Sequence, residues 1–247
     1  MLLDRPPLSG SNRTTMHSVL QSLHRRLVVS CQADPGDPMD DVNTLRQVAR
    51  ACILGGAGGL RFNGPDHVRA TRSDSKLPII AIQKIYVHGR LLITPDFASA
   101  AALAAAGADL IALDCTDRDH AYGEPWRDII RRIHDELGLP VMADIATLRE
   151  GVRAAESGAD IIAPTLHGYT EETRHTLGFH PELISQLVRE TDKPVAAEGN
   201  VSTPAMARLA LEAGAWFVVV GSAITRPSVI TASFVDEIVT AKPPSQP

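Results

Sequence analysis

The sequence has few cysteines, little net charge and no long apolar run. Its three cysteines, Cys31, Cys52 and Cys115, are odd in number and widely spaced. They fit neither a disulfide framework nor a zinc site, so we expect a reducing, cytoplasmic environment. The net charge of −5 gives no electrostatic footprint for nucleic acid or for an anionic membrane. No apolar stretch approaches the roughly 20 residues that span a bilayer.

The two ends of the chain lack the patterns of folded elements. Residues 1–22 carry charge but no apolar core of a secretory signal, so we expect a flexible extension there. Residues 242–247 are expected to form a flexible tail. Between them, residues 23–241 repeat a short apolar run, a loop and an amphipathic stretch, which predicts a single domain of βα units.

The repeat occurs eight times. The predicted strands are Leu27–Gln32, Gly59–Asn63, Pro78–Lys84, Leu110–Cys115, Pro140–Ile145, Ile161–Thr165, Val195–Gly199 and Phe217–Gly221. The predicted helices are Met39–Leu54, Pro65–Arg72, Pro95–Ala106, Glu124–Leu137, Leu148–Ser157, Pro181–Glu190, Pro204–Ala213 and Ser228–Thr240. Three helices end in Gly-Ala before a strand, at Gly107, Gly158 and Gly214, which permits a tight turn. Eight evenly spaced units favour a (β/α)8 TIM barrel over a doubly wound open sheet.

The last two predicted strands have the features of an anion-binding site. The run from Trp216 to Val220 is apolar and leads into Gly221 and Ser222, where backbone can approach a ligand closely. Arg226 and Pro227 follow, a fixed cation and a helix start. The preceding strand ends similarly, in Glu198-Gly199. Because barrels commonly bind phosphate after strands seven and eight, these two loops are predicted to hold a phosphate group.

Polar residues end many of the otherwise apolar strands. A charge there is costly unless it is paired or faces a cavity, so the set predicts a polar site at one mouth of the barrel. Its members are Gln32, Arg61, Asn63, Lys84, Asp114, Thr116, Asp144, Thr165, Glu198, Ser222 and Arg226.

Lys84 is the candidate with the most chemical scope. A partly desolvated amine near Arg61 would have a lowered pKa and could act as a base or form a Schiff base. The alternative is a structural lysine that neutralises Asp114 or Glu198.

Arg61 could bind a substrate oxygen or form a salt bridge. Asp144 and Glu198 could move protons, orient Lys84 or bind hydroxyl groups. No ligand spacing supports a metal, so we expect none.

Several of these strand-end segments carry a family signature. They are Val29-Ser30-Cys31-Gln32-Ala33, Leu60-Arg61-Phe62-Asn63-Gly64, Leu113-Asp114-Cys115-Thr116, Met142-Ala143-Asp144-Ile145, Thr165-Leu166-His167-Gly168-Tyr169-Thr170, Ala197-Glu198-Gly199 and Val220-Gly221-Ser222-Ala223-Ile224-Thr225-Arg226-Pro227. In this order they resemble the bacterial N-acetylmannosamine-6-phosphate 2-epimerases, over about residues 27–238. The sequence departs from that family directly after Lys84 and after Arg118, where His120 stands.

The resemblance implies a reaction and a set of roles. It implies epimerisation of a phosphorylated amino sugar at C2, without a cofactor, in the breakdown of sialic acid and amino sugars. Lys84 would be the catalytic base and Glu198 its carboxylate partner. Substrate contacts would come from Gln32, Arg61, Asp144 and Arg226, with phosphate at Gly199, Gly221 and Ser222.

Two other functions use the same residues. A Schiff-base phosphosugar lyase or aldolase would also place Lys84 on a barrel strand, and a non-catalytic phosphosugar sensor would bind without turnover. The apolar helix Phe97–Ala106 would also permit a homodimer.

Overall fold

A computed structural model of the protein describes residues 17–118 and 123–241. Its strands are β1 Leu27–Cys31, β2 Gly59–Asn63, β3 Ile79–Ile82, β4 Lys84–Val87, β5 Arg90–Ile93, β6 Leu110–Asp114, β7 Val141–Asp144, β8 Ile161–Ala163, β9 Ala196–Ala197 and β10 Phe217–Val220. Its helices are α1 Ser18–Leu23, α2 Val42–Leu54, α3 Pro65–Arg72, α4 Phe97–Ala105, α5 Trp126–Arg132, α6 Leu148–Glu156, α7 Pro181–Glu190, α8 Pro204–Glu212, α9 Ser222–Thr225 and α10 Pro227–Thr240. A π-helical turn, Ile133–Leu137, extends α5.

Eight parallel strands form the barrel. Their order is β8-β7-β6-β3-β2-β1-β10-β9. A parallel bridge between Ile162 and Val195 joins the last strand to the first, and the Ile162 amide donates to the Pro194 carbonyl at 3.1 Å. The predicted (β/α)8 barrel is therefore confirmed.

The third predicted strand was too long. It ends at Ile82, and Lys84 begins an antiparallel hairpin of β4 and β5 outside the barrel sheet. His88 and Gly89, both with positive φ, make its turn, as two-residue hairpin loops require. Two hydrogen bonds close the base of the hairpin: the Thr94 amide donates to the Gln83 carbonyl at 2.7 Å, and the Thr94 hydroxyl accepts the Gln83 amide at 3.1 Å.

The strands separate two apolar cores. Inward-facing side chains such as Ile80, Met142 and Phe217 fill the barrel, and outward-facing ones pack against the helices. Helix α1 contributes Leu20 and Leu23, both buried, to the barrel's interior core. The Trp216 indole donates to the Leu20 carbonyl at 2.8 Å.

The predicted N-terminal extension, residues 1–22, therefore ends too far along the chain. Residues 18–22 belong to α1, which is held by the burial of its leucines rather than left flexible. Residues 1–16 and 242–247, also predicted to be flexible, lie outside the described residues, as does His120.

The helices begin where the sequence supplies caps. Asp41, Asp96, Thr147 and Thr203 each accept a backbone amide of the first turn. Glu150 completes a capping box with Thr147. In the part of the chain that the structure describes, no helix has the length and apolar character needed to cross a membrane.

Candidate active site

Strand alternation places the polar residues at one mouth. Side chains two apart along a strand share a face. Met142 and Ala196 lie in the interior core, so Asp144 and Glu198 point inward as well. Arg61 lies between Leu60 and Phe62, which pack outward, and so it also faces the barrel axis. All three lie toward the carboxyl ends of parallel strands, where barrel active sites form.

Arg61, Asp144 and Glu198 form a buried ion cluster. Arg61 donates to the Asp144 carboxylate at 2.5 Å and also to Glu198. Arg61 and Asp144 have side chains that are 1% and 0% exposed, while Glu198 keeps 12%. The Thr165 hydroxyl donates to the other Asp144 oxygen at 2.7 Å. The alternative noted for Arg61, a salt bridge, is what the structure contains.

This cluster contains one cation and two carboxylates. Its net charge is therefore negative when both carboxylates are ionised, and it becomes neutral when one of them binds a proton. Burial raises the pKa of Asp144, and Arg61 and Thr165 offset part of that rise. Burial raises the pKa of Glu198 to about 7, and the negative charge of Asp144 adds to the rise, while Arg61 and Lys84 offset part of it. Burial disfavours the Arg61 cation, but the two carboxylates prevail and raise its pKa. Glu198, at the solvent side, is thus able to gain or lose a proton near neutral pH.

Lys84 begins the hairpin and lies within electrostatic range of Arg61 and Glu198 in this cluster. Its backbone amide donates to the Asn63 side chain at 2.7 Å, and its side chain is 19% exposed. Burial lowers the pKa of Lys84, and the Arg61 and Arg226 cations add to that effect. Asp34 and Glu198 act in the opposite direction. The expected lowering of the Lys84 pKa is therefore found, although its closest anion is Asp34, 4.0 Å away, rather than Asp114.

Asp34 is a site residue that the sequence analysis missed. It follows β1 and also binds Arg226 at 2.8 Å, while Asp37 lies 3.3 Å from the same guanidinium. Asp34 thus stands between Lys84 and Arg226. The acidic spacing in Asp34-Pro35-Gly36-Asp37, directly after a strand, was the available signal.

The residues predicted to hold phosphate lie in the loops after β9 and β10. Gly199 has a φ of +121°, and a Cβ there would stand 3.1 Å from the Pro164 carbonyl. Gly221 precedes α9, which begins at Ser222, and a Cβ at Gly221 would lie 3.3 Å from Ser30. Side chains larger than hydrogen would thus crowd both positions.

The remaining polar residues are held by near neighbours. Gln32 donates to the Ser30 hydroxyl at 3.0 Å. Asp114 accepts the Thr116 amide and hydroxyl at 2.9 and 2.7 Å, and also binds Arg118. The structure therefore groups Arg61, Asp144, Glu198 and Lys84 closely and places Asp114 in a separate network.

Two histidines, His167 and His180, lie beside Glu198. His167 and His180 line a recess shared with Glu198 and Gly199, with their ring centroids 4.8 Å apart. His167 contacts the Ala146 carbonyl at 2.7 Å, whereas the Nε2 atom of His180 is buried with no hydrogen-bond partner among the described residues. Nothing in the sequence brings these two residues to Glu198, because both lie in the long segment after β8.

Among the described residues, no group of three or more His, Cys, Asp or Glu is arranged to hold a metal ion.

Comparisons with known proteins identify the family. The family described as "Putative N-acetylmannosamine-6-phosphate epimerase" matches residues 45–240. Relatives named "Putative N-acetylmannosamine-6-phosphate 2-epimerase" include one from Thermosynechococcus vestitus, 46% identical over 81% of this chain and 87% of its own. Another, from Cutibacterium acnes, is 42% identical over 89% and 96%.

A solved structure agrees with these relatives. The N-acetylmannosamine-6-phosphate 2-epimerase from Clostridium perfringens superposes with a TM-score of 0.85 at 36% identity, covering 92% of this chain and all of that one. The family match, the relatives and this structure agree over most of the barrel, and so the chain belongs to the N-acetylmannosamine-6-phosphate epimerase family.

Proposed function

We propose that the protein interconverts N-acetylmannosamine 6-phosphate and N-acetylglucosamine 6-phosphate by removing and returning the proton at C2. Family membership supports the substrate class. The observation that carries the chemistry is that Lys84, whose pKa is lowered, lies within electrostatic range of Glu198, whose pKa is raised to about 7. An amine whose pKa is lowered toward neutral pH and a carboxyl group whose pKa is raised toward it suit proton transfer at physiological pH.

The reaction requires the open-chain sugar, in which C2–H lies next to the C1 aldehyde. The neutral Lys84 amine takes that proton and becomes an ammonium, and the C–H electron pair forms an enolate. Return of a proton to the opposite face of C2 inverts the centre and restores the aldehyde. Glu198 is the carboxylate partner of Lys84 and is poised to carry a proton during the cycle.

The Arg61 cation supports this chemistry from the interior of the barrel. Its side chain is 1% exposed and donates to both Asp144 and Glu198, so it fixes the carboxyl group that faces the substrate. Because both carboxylates already share its charge, Arg61 acts on the substrate through Glu198 rather than directly on the enolate oxygen. We assign to Asp144 the matching role of holding Arg61, since its side chain is 0% exposed and both of its oxygens are already bonded, to Arg61 and to Thr165.

The phosphate end of the substrate is assigned to the loops after β9 and β10. Gly199, Gly221 and Ser222 offer close backbone approach, and Arg226 supplies a cation beside them. Gln32, at the end of β1, would contact the sugar. When its phosphate is held at this end, the open-chain sugar presents C2 to Lys84. The binding energy of the phosphate thereby serves to orient the reacting atoms.

An isomerisation at carbon changes no oxidation state overall, so the proposed reaction consumes no redox cofactor. We place it in the cytoplasm, in the breakdown of sialic acid and amino sugars. The three free cysteines, two of them buried, are consistent with a reducing compartment.

The test is a proton NMR time course with N-acetylmannosamine 6-phosphate in D2O. We expect the gluco isomer to appear with deuterium at C2. Lys84→Ala should abolish conversion, while Lys76→Ala, an exposed lysine before β3, should leave it unchanged. A folded protein with neither conversion nor exchange would refute the proposal. Cleavage of the sugar, with an adduct trapped on Lys84 by borohydride, would instead identify a Schiff-base lyase.

A further inference from the structure

The hairpin of β4 and β5 turns one face toward the mouth of the barrel. In its register Lys84 lies opposite Ile93, and Tyr86 lies opposite Leu91. Residues that oppose each other across an antiparallel pair, and residues two apart along a strand, share a face. Ile93 is buried in the interior core, and Leu91 packs against that core. The face that carries Lys84 and Tyr86 is therefore directed at the barrel interior.

Tyr86 is the next side chain on this face after Lys84. Two residues of a strand span about 6.6 Å, so the Tyr86 side chain leaves the hairpin that far from the proposed base. The Tyr86 side chain is 51% exposed. On the other face of the hairpin Leu92 is 6% exposed, and so protein covers that face. A half-exposed aromatic ring thus lies beside the site on the open side of the hairpin.

The topology places the phosphate loops across the mouth from this hairpin. The hairpin follows β3, which lies four positions from β9 and three from β10 in the order of the eight strands. In a closed barrel of eight strands, four positions is the full width of the mouth. A sugar held by its phosphate after β9 and β10 therefore reaches the hairpin with its other end. That end carries C1, C2 and the acetamido group bound to C2.

We propose that Tyr86 binds the acetamido group of the substrate and makes the enzyme prefer acetylated over unacetylated amino sugar 6-phosphates. The inference rests on the proposed function, from which it takes the substrate and the position of the phosphate. An acetamido group presents a flat amide and an apolar methyl group, and both can pack against an aromatic ring. A free amine on C2 offers neither. Because Lys84 still moves the proton, Tyr86 contributes to binding and specificity rather than to proton transfer.

The test compares two ligands by titration calorimetry in the Lys84→Ala background, in which we expect no turnover. The ligands are N-acetylmannosamine 6-phosphate and mannosamine 6-phosphate, which differ only by the acetyl group. Adding Tyr86→Ala should weaken binding of the acetylated sugar about three- to tenfold and change binding of the unacetylated sugar by less than about twofold. Tyr86→Phe keeps the ring and should bind both sugars as the background does.

The matched control is Val87→Ala, on the opposite face of β4, which should change neither affinity. The inference is overturned if Tyr86→Ala leaves the acetylated sugar unaffected, if it weakens both sugars equally, or if Val87→Ala has the same effect. With Lys84 intact, Tyr86→Ala should raise KM for the acetylated sugar and leave kcat nearly unchanged. A protein that does not epimerise, but whose affinity for the acetylated sugar still depends on Tyr86, would refute the proposed function and support this inference.

Discussion

Replacing Glu198 by glutamine should change how the stability of the protein depends on pH. Glutamine keeps an oxygen that can accept from Arg61 but removes the titrating proton. In the folded protein, burial raises the pKa of Glu198 from its usual 4.5 to about 7. The folded state therefore binds this proton more tightly than the unfolded state does. The associated stabilisation is fully present below pH 4.5 and is lost as the pH rises through 7.

The size of the effect follows from the shift. Each pKa unit corresponds to about 1.4 kcal/mol, so wild type should lose about 3 kcal/mol relative to Glu198→Gln between pH 4.5 and pH 8.5. The assay is urea unfolding of both proteins at several pH values. Comparing the two proteins at each pH removes the contribution of other titrating groups that are unaffected by the substitution. A difference in unfolding free energy that stays constant across this range would refute the assignment of the pH 7 titration to Glu198.

Three further predictions concern the site and the core. Asp34→Asn removes the anion 4.0 Å from the Lys84 amine, so the pKa of Lys84 should fall further. The acidic limb of the pH profile of kcat/KM should therefore move to lower pH. If this limb does not move, Lys84 is not the titrating base. Gly151→Ala would bring a methyl group within 2.3 Å of the Leu187 side chain. It should lower the free energy of unfolding, measured by chemical denaturation, by about 1–3 kcal/mol. An unchanged stability would contradict the tight packing of α6. Leu23→Ala should cost about 2–5 kcal/mol by the same assay, because Leu23 is fully buried in the barrel core. The control Leu54→Ala, 90% exposed, should cost little, and equal effects would place α1 outside the core.

The sequence predicted the parts of the structure that depend on local periodicity. Alternation along each strand put Asp144 and Glu198 on the inner face, and parallel strands put them at one edge. Lys84 kept its place at the site although its strand assignment was wrong. The Thr94 hydroxyl, which accepts the Gln83 amide at the base of the hairpin, also donates to the Ala112 carbonyl on β6, and no local pattern reveals this contact with another strand.

Other features depend on which distant side chains meet. Asp34 was overlooked because its partners, Lys84 and Arg226, come from the third and eighth βα units. The two leucines of α1 looked like part of a charged extension, since only the assembled barrel provides the interior that buries them. The exposure of α10, none of whose residues is buried, was not predicted either, because its sequence is that of an ordinary barrel helix.

The seam of the barrel, where β8 and β9 meet and close the sheet, has a consequence for motion at the site. β9 has only two residues, and the seam rests on one bridge between Ile162 and Val195. Local opening is drawn from regions with few backbone bonds, so amide hydrogen exchange should be fastest here among the barrel strands. Because Glu198 directly follows β9, local opening of this junction would move the Glu198 carboxyl group with it.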